Sequence, residues 1–273
     1  MKKQPIGIFD SGYGGLTVLK EITSRLPQYD YIYLGDNARS PYGTRSFETV
    51  YEYTLQCVKW LFAQHCPLII LACNTASAKA LRSIQQNDLE KIGAGKRVLG
   101  VIRPTTEIIG KYTKTGNVGI LATNGTVISD SYPIEIRKFF PGINVYQEAC
   151  PMWVPLVENN EYNSPGADYF IQKNINNLLE KSAQIDTVLL ACTHYPLLME
   201  KIKMALPADV SVLSQGEIVA GSLQHYLERH TEIEEKCSKN EKISFYTTDS
   251  TEDFDNHAAI FYGKPVKSTH LTL

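Results

Sequence analysis

Short apolar runs alternate with longer stretches of helical periodicity along the whole sequence, and this alternation limits the possible folds most strongly. The apolar runs, which have the length and composition of strands, lie at residues 5–10, 29–35, 67–72, 97–102, 117–122, 144–148, 186–191, 210–213 and 242–247. Stretches with apolar residues every three to four positions include residues 16–26, 47–65, 76–86, 126–139, 167–182 and 216–230. Because the strand candidates are continuously apolar rather than alternating, they predict an α/β fold with parallel sheets that helices cover on both faces.

Two pairs of strand ends repeat at nearly the same spacing. The apolar run that ends at Cys73 matches the run that ends at Cys192, 119 residues later, and a polar residue and a helical stretch follow each one. Residues 7–12 and 119–124 form a second matching pair, 112 residues apart. Two repeats nearly in register indicate a duplicated α/β unit of about domain size.

This duplication predicts two similar domains related by pseudo-two-fold symmetry, each a mainly parallel sheet flanked by helices. The first domain is predicted to comprise residues 1–98 plus a C-terminal return over residues 208–273, and the second to comprise residues 99–207. Parallel sheets bind ligands beyond the carboxyl ends of their strands. If the two domains face each other, Cys73 and Cys192 line opposite walls of one cleft.

Charge and hydropathy exclude several classes of partner. The chain has 273 residues, with 27 Lys and Arg against 29 Asp and Glu, whereas a protein that binds nucleic acid or an anionic membrane normally carries a basic excess. No apolar run approaches the roughly 18 residues of a membrane-spanning helix. The apolar run at residues 6–9 is too short for a signal-peptide core. We therefore expect a cytoplasmic protein with no nucleic-acid or membrane partner.

The six cysteines have no obvious structural purpose in such a chain. They are Cys57, Cys66, Cys73, Cys150, Cys192 and Cys237. A reducing compartment does not maintain disulfides. The sequence contains neither C-x-x-C nor H-E-x-x-H, and the spacings of nine and seven residues between the first three cysteines fit no common zinc site, so no metal is predicted. Inert buried thiols and reactive thiols remain as the two interpretations.

Cys73 and Cys192 each stand at a predicted strand–helix junction. A helix N-terminus lowers a thiol pKa from its reference value of about 8.5 toward neutrality. A thiolate on one wall of the cleft can remove a proton from a carbon, and a thiol on the other wall can return one to the opposite face, which inverts a stereocentre without pyridoxal phosphate. One Ala-Cys at a strand end is more often a buried packing pair. The matched pair favours chemistry.

Six blocks of this sequence resemble the glutamate racemase family, within the aspartate/glutamate racemase superfamily. The blocks are GIFDSGYGGLTV at residues 7–18, LGDNARSPYG at 34–43, ACNTASA at 72–78, GTV at 125–127, CPMWVPLVE at 150–158 and CTHYPLL at 192–198. They follow one another in the family's order, and together they are far more specific than any single motif. The resemblance implies a cofactor-independent enzyme that interconverts L- and D-glutamate for peptidoglycan synthesis, and a homodimer.

The resemblance also implies roles for individual residues. Cys73 would deprotonate D-glutamate and Cys192 would deprotonate L-glutamate; Asp10 would assist on one side, and Glu158 and His194 on the other. The residues that the resemblance assigns to the substrate's ammonium and carboxylates are Ser11, Pro41, Tyr42, Gly43, Asn74, Thr75, Thr123, Thr126 and Thr193. In the purely structural alternative, Asp10 is a helix N-cap and His194 a satisfied turn residue.

Other functions stay open on the sequence alone. They are a racemase for aspartate or another acidic amino acid, an amino-acid-binding module without chemistry, and a redox dithiol pair, which requires the two sulfurs within disulfide range. The family's common Asp-Ser-Gly appears here as residues 214–216, Ser-Gln-Gly, which leaves the role of that loop open. Residues 228–242 are charged and are interpreted as a solvated helix end and loop.

Overall fold

The computed structural model describes residues 3–273, which form two parallel β-sheets flanked by helices. The strands are β1 (Ile6–Asp10), β2 (Tyr31–Gly35), β3 (Leu68–Leu71), β4 (Arg97–Gly100), β5 (Asn117–Ala122), β6 (Asn144–Ala149), β7 (Thr187–Ala191), β8 (Ser211–Leu213), β9 (Ile243–Thr247) and β10 (Ser268–His270). The first sheet has the order β10-β9-β2-β1-β3-β4 and the second the order β6-β5-β7-β8. Neighbouring strands pair in parallel throughout. The predicted α/β fold class is confirmed.

The two sheets repeat one four-strand arrangement. The order β2-β1-β3-β4 in the first sheet corresponds position by position to β6-β5-β7-β8 in the second. The strands whose ends repeat in the sequence occupy equivalent places, since β1 corresponds to β5 and β3 to β7. Strands β9 and β10 extend only the first sheet. The carboxyl ends of β3 and β7, which lead into the two cysteines, are therefore equivalent points of the repeated unit.

The pairing of β4 and β8 suggests domain boundaries a few residues later than those proposed from the sequence. Strand β4 extends to Gly100 and pairs with β3, so a boundary after residue 98 would cut a strand of the first sheet. Residues 211–213 form β8 and pair with β7 in the second sheet, although they were predicted to belong to the first domain. We propose boundaries near residues 101 and 214, where the chain leaves the last strand of each four-strand unit.

Helices follow most of the strands and pack on the sheets. They are α1 (Leu16–Arg25), α2 (Phe47–Ala63), α3 (Asn74–Lys79), α4 (Leu81–Ser83), α5 (Leu89–Gly93), α6 (Ile102–Thr106), α7 (Asn124–Ile128), α8 (Ser131–Phe139), α9 (Trp153–Glu158), α10 (Pro165–Lys181), α11 (Met199–Ala205), α12 (Gly216–Arg229), α13 (Thr231–Glu234) and α14 (Thr251–Tyr262). Serine side chains cap α2, α10 and α14, as where Ser46 Oγ accepts from the backbone N–H of Thr49. Within residues 3–273, no helix combines the length and apolar character that crossing a membrane requires.

Some predicted elements differ in detail from the observed ones. The predicted helical stretch 76–86 is divided between α3, α4 and a π-helical turn at Ile84–Asp88. The stretch 126–139 is broken at Asp130, whose φ of 53° lies in the left-handed region that Asp tolerates better than most residues. Strand β10 and helix α14 were not predicted.

The charged stretch 228–242 is more than a solvated loop. Ile233 and Cys237 within it are fully buried. Gln4 forms an isolated parallel bridge with Cys237, and the backbone N–H of Asp30 donates to the carbonyl of Ser238 at 2.9 Å. The interpretation of the whole segment as solvated was therefore wrong, since Ile233 and Cys237 belong to the hydrophobic core and the backbone beside them pairs with residues that precede β1 and β2.

Candidate active site

A small cavity of about 80 Å³ lies at the carboxyl ends of central strands from both sheets. The predicted site residues that line it are Ser11, Pro41, Tyr42, Gly43, Cys73, Asn74, Thr75, Thr123, Cys192, Thr193 and His194. Lining residues that the sequence analysis did not assign to the substrate are Ser40, Thr44, Asn124, Cys150, Pro151, Val154 and Pro155. Predicted residues that do not line it are Asp10, Thr126 and Glu158, each of which contacts a residue that does. The residues that line the cavity therefore come from loops that are far apart in the sequence.

Cys73 is buried at the start of α3. Its Sγ accepts a hydrogen bond from the backbone N–H of Ala76 at 3.4 Å and lies 3.5 Å from Ser11 Oγ. Burial and, to a smaller extent, the nearby charge of Asp10 together raise the pKa of Cys73 to about 12, against the lowering effect of these two hydrogen bonds. The expectation that the helix N-terminus sets this pKa is therefore wrong, because the desolvation of the thiol outweighs it.

Asp10 is fully buried beside Cys73. Its Oδ2 accepts from the backbone N–H of Gly12 at 3.0 Å, and Thr193 Oγ1 donates to its Oδ1 at 3.5 Å. Burial raises the pKa of the Asp10 carboxyl, while the charge of His194 opposes that rise. Helix α1 begins after Gly15 with no side-chain cap, so Asp10 is not the N-cap residue that the structural alternative supposed. The carboxyl group lies instead buried close to the Cys73 thiol.

His194 lies between Cys192 and the carboxylate of Glu158, on the side of the cavity opposite Cys73. Its Nδ1 lies 3.9 Å from Cys192 Sγ, and its Nε2 lies 3.0 Å from Glu158 Oε1. Burial lowers the imidazole pKa, but the hydrogen bonds and charges of Cys192 and Glu158 more than offset this and raise the pKa to about 10. The edge of Phe261, from α14, packs against the ring with 5.3 Å between centroids. A protonated imidazole is thus held next to the Cys192 sulfur.

The loop before α1 makes a close contact with the turn that carries His194. A Cβ atom on Gly14 would lie 2.3 Å from Thr193 Oγ1 and 2.4 Å from His194 Nδ1. The Thr17 hydroxyl donates to the carbonyl of Thr193 at 2.9 Å. Only glycine leaves room for this approach, so the loop before α1 packs directly against the turn that carries Thr193 and His194.

Hydroxyl groups that follow strands of the two sheets form hydrogen bonds with one another at the cavity. Thr75 and Thr123 share a hydrogen bond of 2.9 Å between their Oγ1 atoms, although they follow strands of different sheets. The Thr123 hydroxyl also lies 3.1 Å from Thr126 Oγ1, and Thr126 is fully buried behind it. Hydroxyl groups in such a cluster can donate to a carboxylate or accept from an ammonium group.

A buried polar network holds the loop that includes Pro41, Tyr42 and Gly43. The Tyr42 hydroxyl donates to Asp36 Oδ2, so this hydroxyl points away from the cavity. Asp36, which is fully buried, also pairs with Arg39 Nε at 2.7 Å. The sequence block LGDNARSPYG contains these residues, but their spacing alone gave no reason to assign them this supporting role.

A larger cavity of about 800 Å³ lies elsewhere, between α4, α6, α8 and α12. It contains neither Cys73 nor Cys192 among its lining residues, so its size does not make it the site of the predicted chemistry. All six cysteines are buried and free. Within residues 3–273, no group of three or more His, Cys, Asp or Glu side chains is arranged to hold a metal ion.

Residues 14–223 match the family model described as Asp/Glu/hydantoin racemase. The chain belongs to this family. It is 37% identical to a glutamate racemase from Streptococcus suis over 273 residues, which cover all of both chains. Among solved structures, the glutamate racemase isoform RacE1 from Bacillus anthracis has a TM-score of 0.90 at 33% identity, with 100% of this chain and 99% of that chain covered.

A second solved relative contains a bound amino acid. The glutamate racemase from Francisella tularensis, in complex with D-glutamate, has a TM-score of 0.87 at 31% identity, with 100% of this chain and 98% of that chain covered. These comparisons confirm the predicted resemblance to glutamate racemases and the prediction that the chain is a racemase of this type.

Proposed function

We propose that this racemase interconverts L- and D-glutamate by a two-base proton transfer between Cys73 and Cys192, without a cofactor. The observation that carries the proposal is that two cysteines from equivalent strands of the two sheets line one cavity. Each thiol also has its own proton-handling partner, since Asp10 lies beside Cys73 and His194 beside Cys192. The glutamate racemase relatives, one of them solved with D-glutamate, support glutamate as the substrate.

The reaction moves one proton on each face of the α-carbon. With D-glutamate, the Cys73 thiolate removes the α-proton, and the Cys192 thiol donates its proton to the opposite face, which leaves L-glutamate, a Cys73 thiol and a Cys192 thiolate. The reverse reaction starts from L-glutamate and the Cys192 thiolate. Proton transfer to and from carbon is the step that positioned acid and base groups accelerate. The substrate neither dissociates nor turns over between the two transfers.

Cys73 must lose its proton before it can act as a base. Burial and the charge of Asp10 hold its pKa at about 12. The α-ammonium group of a bound amino acid brings a positive charge into this buried space, and an adjacent opposite charge lowers a thiol pKa. Asp10, whose own pKa is raised by burial, accepts the proton that the thiol releases. Substrate binding thereby activates the base.

His194 and Glu158 serve the opposite wall. Because the pKa of His194 is raised to about 10, its ring carries a proton at neutral pH and holds it 3.9 Å from Cys192 Sγ. This proton returns to the sulfur after Cys192 has donated its own to the substrate. Glu158 orients the ring through its hydrogen bond to Nε2.

The charged groups of glutamate are assigned to the polar lining of the cavity. The proposed substrate-binding residues are Ser11, Pro41, Tyr42, Gly43, Asn74, Thr75, Thr123, Thr126 and Thr193. Thr126 acts through the Thr123 hydroxyl, and Tyr42 through its backbone, because its own hydroxyl is bound to Asp36. Hydrogen-bond donors on the α-carboxylate also stabilise the negative charge that develops as the α-proton leaves. Family membership alone supports a homodimer and a role in peptidoglycan synthesis.

A direct assay tests this function. Purified protein is incubated without added cofactor with L-glutamate, D-glutamate or L-aspartate, and the enantiomers are separated by chiral chromatography. We expect racemisation of both glutamate enantiomers, little change in L-aspartate, and loss of activity in Cys73→Ala and Cys192→Ala. Cys66→Ala, which removes a buried thiol that does not line the cavity, is the matched control.

Three outcomes would contradict the proposal. Substantial turnover in either Cys73→Ala or Cys192→Ala would show that one base suffices. Faster racemisation of L-aspartate than of L-glutamate would favour the alternative substrate. Glutamate binding without exchange of the α-proton would favour an amino-acid-binding module.

A further inference from the structure

Three side chains form a closed ring of hydrogen bonds behind the cavity. The Asn74 amide Nδ2 donates to Gln215 Oε1 at 2.7 Å, Gln215 Nε2 donates to the Tyr132 hydroxyl at 2.7 Å, and that hydroxyl donates to Asn74 Oδ1 at 2.5 Å. All three side chains are buried, with 2% of Asn74, 4% of Gln215 and none of Tyr132 exposed. Each member of the ring gives one hydrogen and receives one.

The backbone carbonyl of Val101 determines which atoms donate and which accept in this ring. Gln215 Nε2 also lies 3.2 Å from the carbonyl of Val101 and 3.0 Å from Thr105 Oγ1. A carbonyl oxygen only accepts, so the NH₂ group of Gln215 must face Val101 and its Oε1 must face Asn74. Asn74 must then present its own NH₂ group to Gln215, which leaves its Oδ1 to accept from Tyr132. A backbone group thus determines the orientation of the Asn74 amide.

The ring also joins parts of the chain that are distant in sequence. Val101 and Thr105 belong to the first crossing between the sheets, after β4, and Gln215 belongs to the second crossing, after β8. Tyr132 lies in α8, on the second sheet, whereas Asn74 directly follows Cys73. Both crossings and both domains therefore meet at the residue next to one proposed base.

Asn74 retains hydrogen-bonding capacity for a ligand. A side-chain amide has two N–H donors and a carbonyl oxygen with two lone pairs. The ring uses one donor and one lone pair, which leaves one N–H and one lone pair on a residue that lines the cavity. These are the groups that can contact the carboxylate and the ammonium of an amino acid.

We propose that Gln215 is a positioning residue, which fixes the Asn74 amide toward the substrate and ties it to both crossings between the domains. The inference rests on the proposed racemisation of glutamate, whose substrate Asn74 contacts. It also gives a role to the loop at residues 214–216, which the sequence alone left open.

A double-mutant cycle separates positioning from general stabilisation. Gln215→Met keeps the length and much of the volume of the side chain but removes its hydrogen bonds. We expect Gln215→Met and Asn74→Ala each to lower kcat/KM about tenfold or more, since small displacements at a reacting centre are costly. If Gln215 acts through Asn74, the double variant is no slower than Asn74→Ala alone. Gln224→Met, a partly exposed glutamine in α12, is the matched control and should keep wild-type activity.

Each result of this cycle decides between the two explanations. Effects that multiply in the double variant, or a Gln215→Met variant with wild-type kcat/KM, would overturn the inference. If Gln215→Met does not fold, Tyr132→Phe removes only the hydroxyl of the ring and completes the same cycle with Asn74→Ala. A wild-type protein that does not racemise glutamate would instead contradict the proposed function, so the two failures are distinguishable.

Discussion

Gly14→Ala tests whether the loop before α1 holds His194 in position. The added methyl carbon would lie 2.3 Å from Thr193 Oγ1 and 2.4 Å from His194 Nδ1, and 2.6 Å from Cε1 of the same ring. Ordinary van der Waals contact needs about 3.4 Å or more, so the ring or the loop must move by about 1 Å. His194 Nδ1 is the atom that faces Cys192 Sγ at 3.9 Å, and the displacement therefore falls on the proposed proton path.

The size of the effect follows from that displacement. Misplacing a reacting group by about 1 Å costs on the order of 100-fold in rate, which corresponds to about 2.7 kcal/mol at 1.36 kcal/mol for each tenfold change. We therefore expect Gly14→Ala to lower kcat/KM roughly 100-fold for both enantiomers of glutamate. The assay is chiral chromatography of initial rates, with thermal unfolding measured on the same preparation.

A second glycine provides the control. Gly221 lies in α12, and a Cβ there would meet no atom closer than 3.7 Å, so Gly221→Ala should keep wild-type activity and be at least as stable as the wild type. If Gly14→Ala also keeps wild-type kcat/KM while its folding is intact, the contact does not position His194, and the reasoning is refuted.

Further predictions concern the pKa values of Cys73 and His194. Glu158→Gln removes a charge that raises the pKa of His194, so that pKa should fall from about 10 toward 6.5, as measured by NMR titration with exposed His225 as the internal reference; an unchanged value would contradict the assignment. Asp10→Asn should lower the pKa of Cys73, so alkylation of this thiol should begin at a lower pH than in the wild type, and no shift would argue against their coupling. Because the folded-state pKa of His194 is raised, its stabilisation of the fold is complete below about pH 6.5 and is lost as the pH rises through about 10. His194→Gln should remove this part of the pH dependence of thermal unfolding, and an unchanged profile would contradict it.

The repeated strand ends made much of the fold predictable. Continuous apolar strands that end in Ala-Cys twice, 119 residues apart, indicated two equivalent parallel sheets with a cysteine on each. The sheet to which β4 and β8 belong was less accessible, because only their strand pairing reveals it. Periodicity also missed α14, whose Phe261 packs against His194.

The residues that support the site were harder to predict than those that line it. Cysteine, histidine and threonine at strand ends suggest chemistry by residue type alone. Gln215 carries no such signal, since its role depends on a carbonyl and a hydroxyl that lie more than 80 residues away in sequence. The requirement for glycine at position 14 likewise arises only from the approach of a loop in the other domain.

The central claim is that two different thiols act on opposite faces of the α-carbon, and solvent labelling measures this directly. The enzyme is incubated with L-glutamate in deuterated water, and the two enantiomers are separated at early times and analysed by mass spectrometry. We expect the D-glutamate formed to carry solvent deuterium at the α-carbon, while the recovered L-glutamate remains largely unlabelled, because Cys192 returns the proton that it took. Extensive early labelling of the recovered L-glutamate would contradict the two-base account and favour a single shared base.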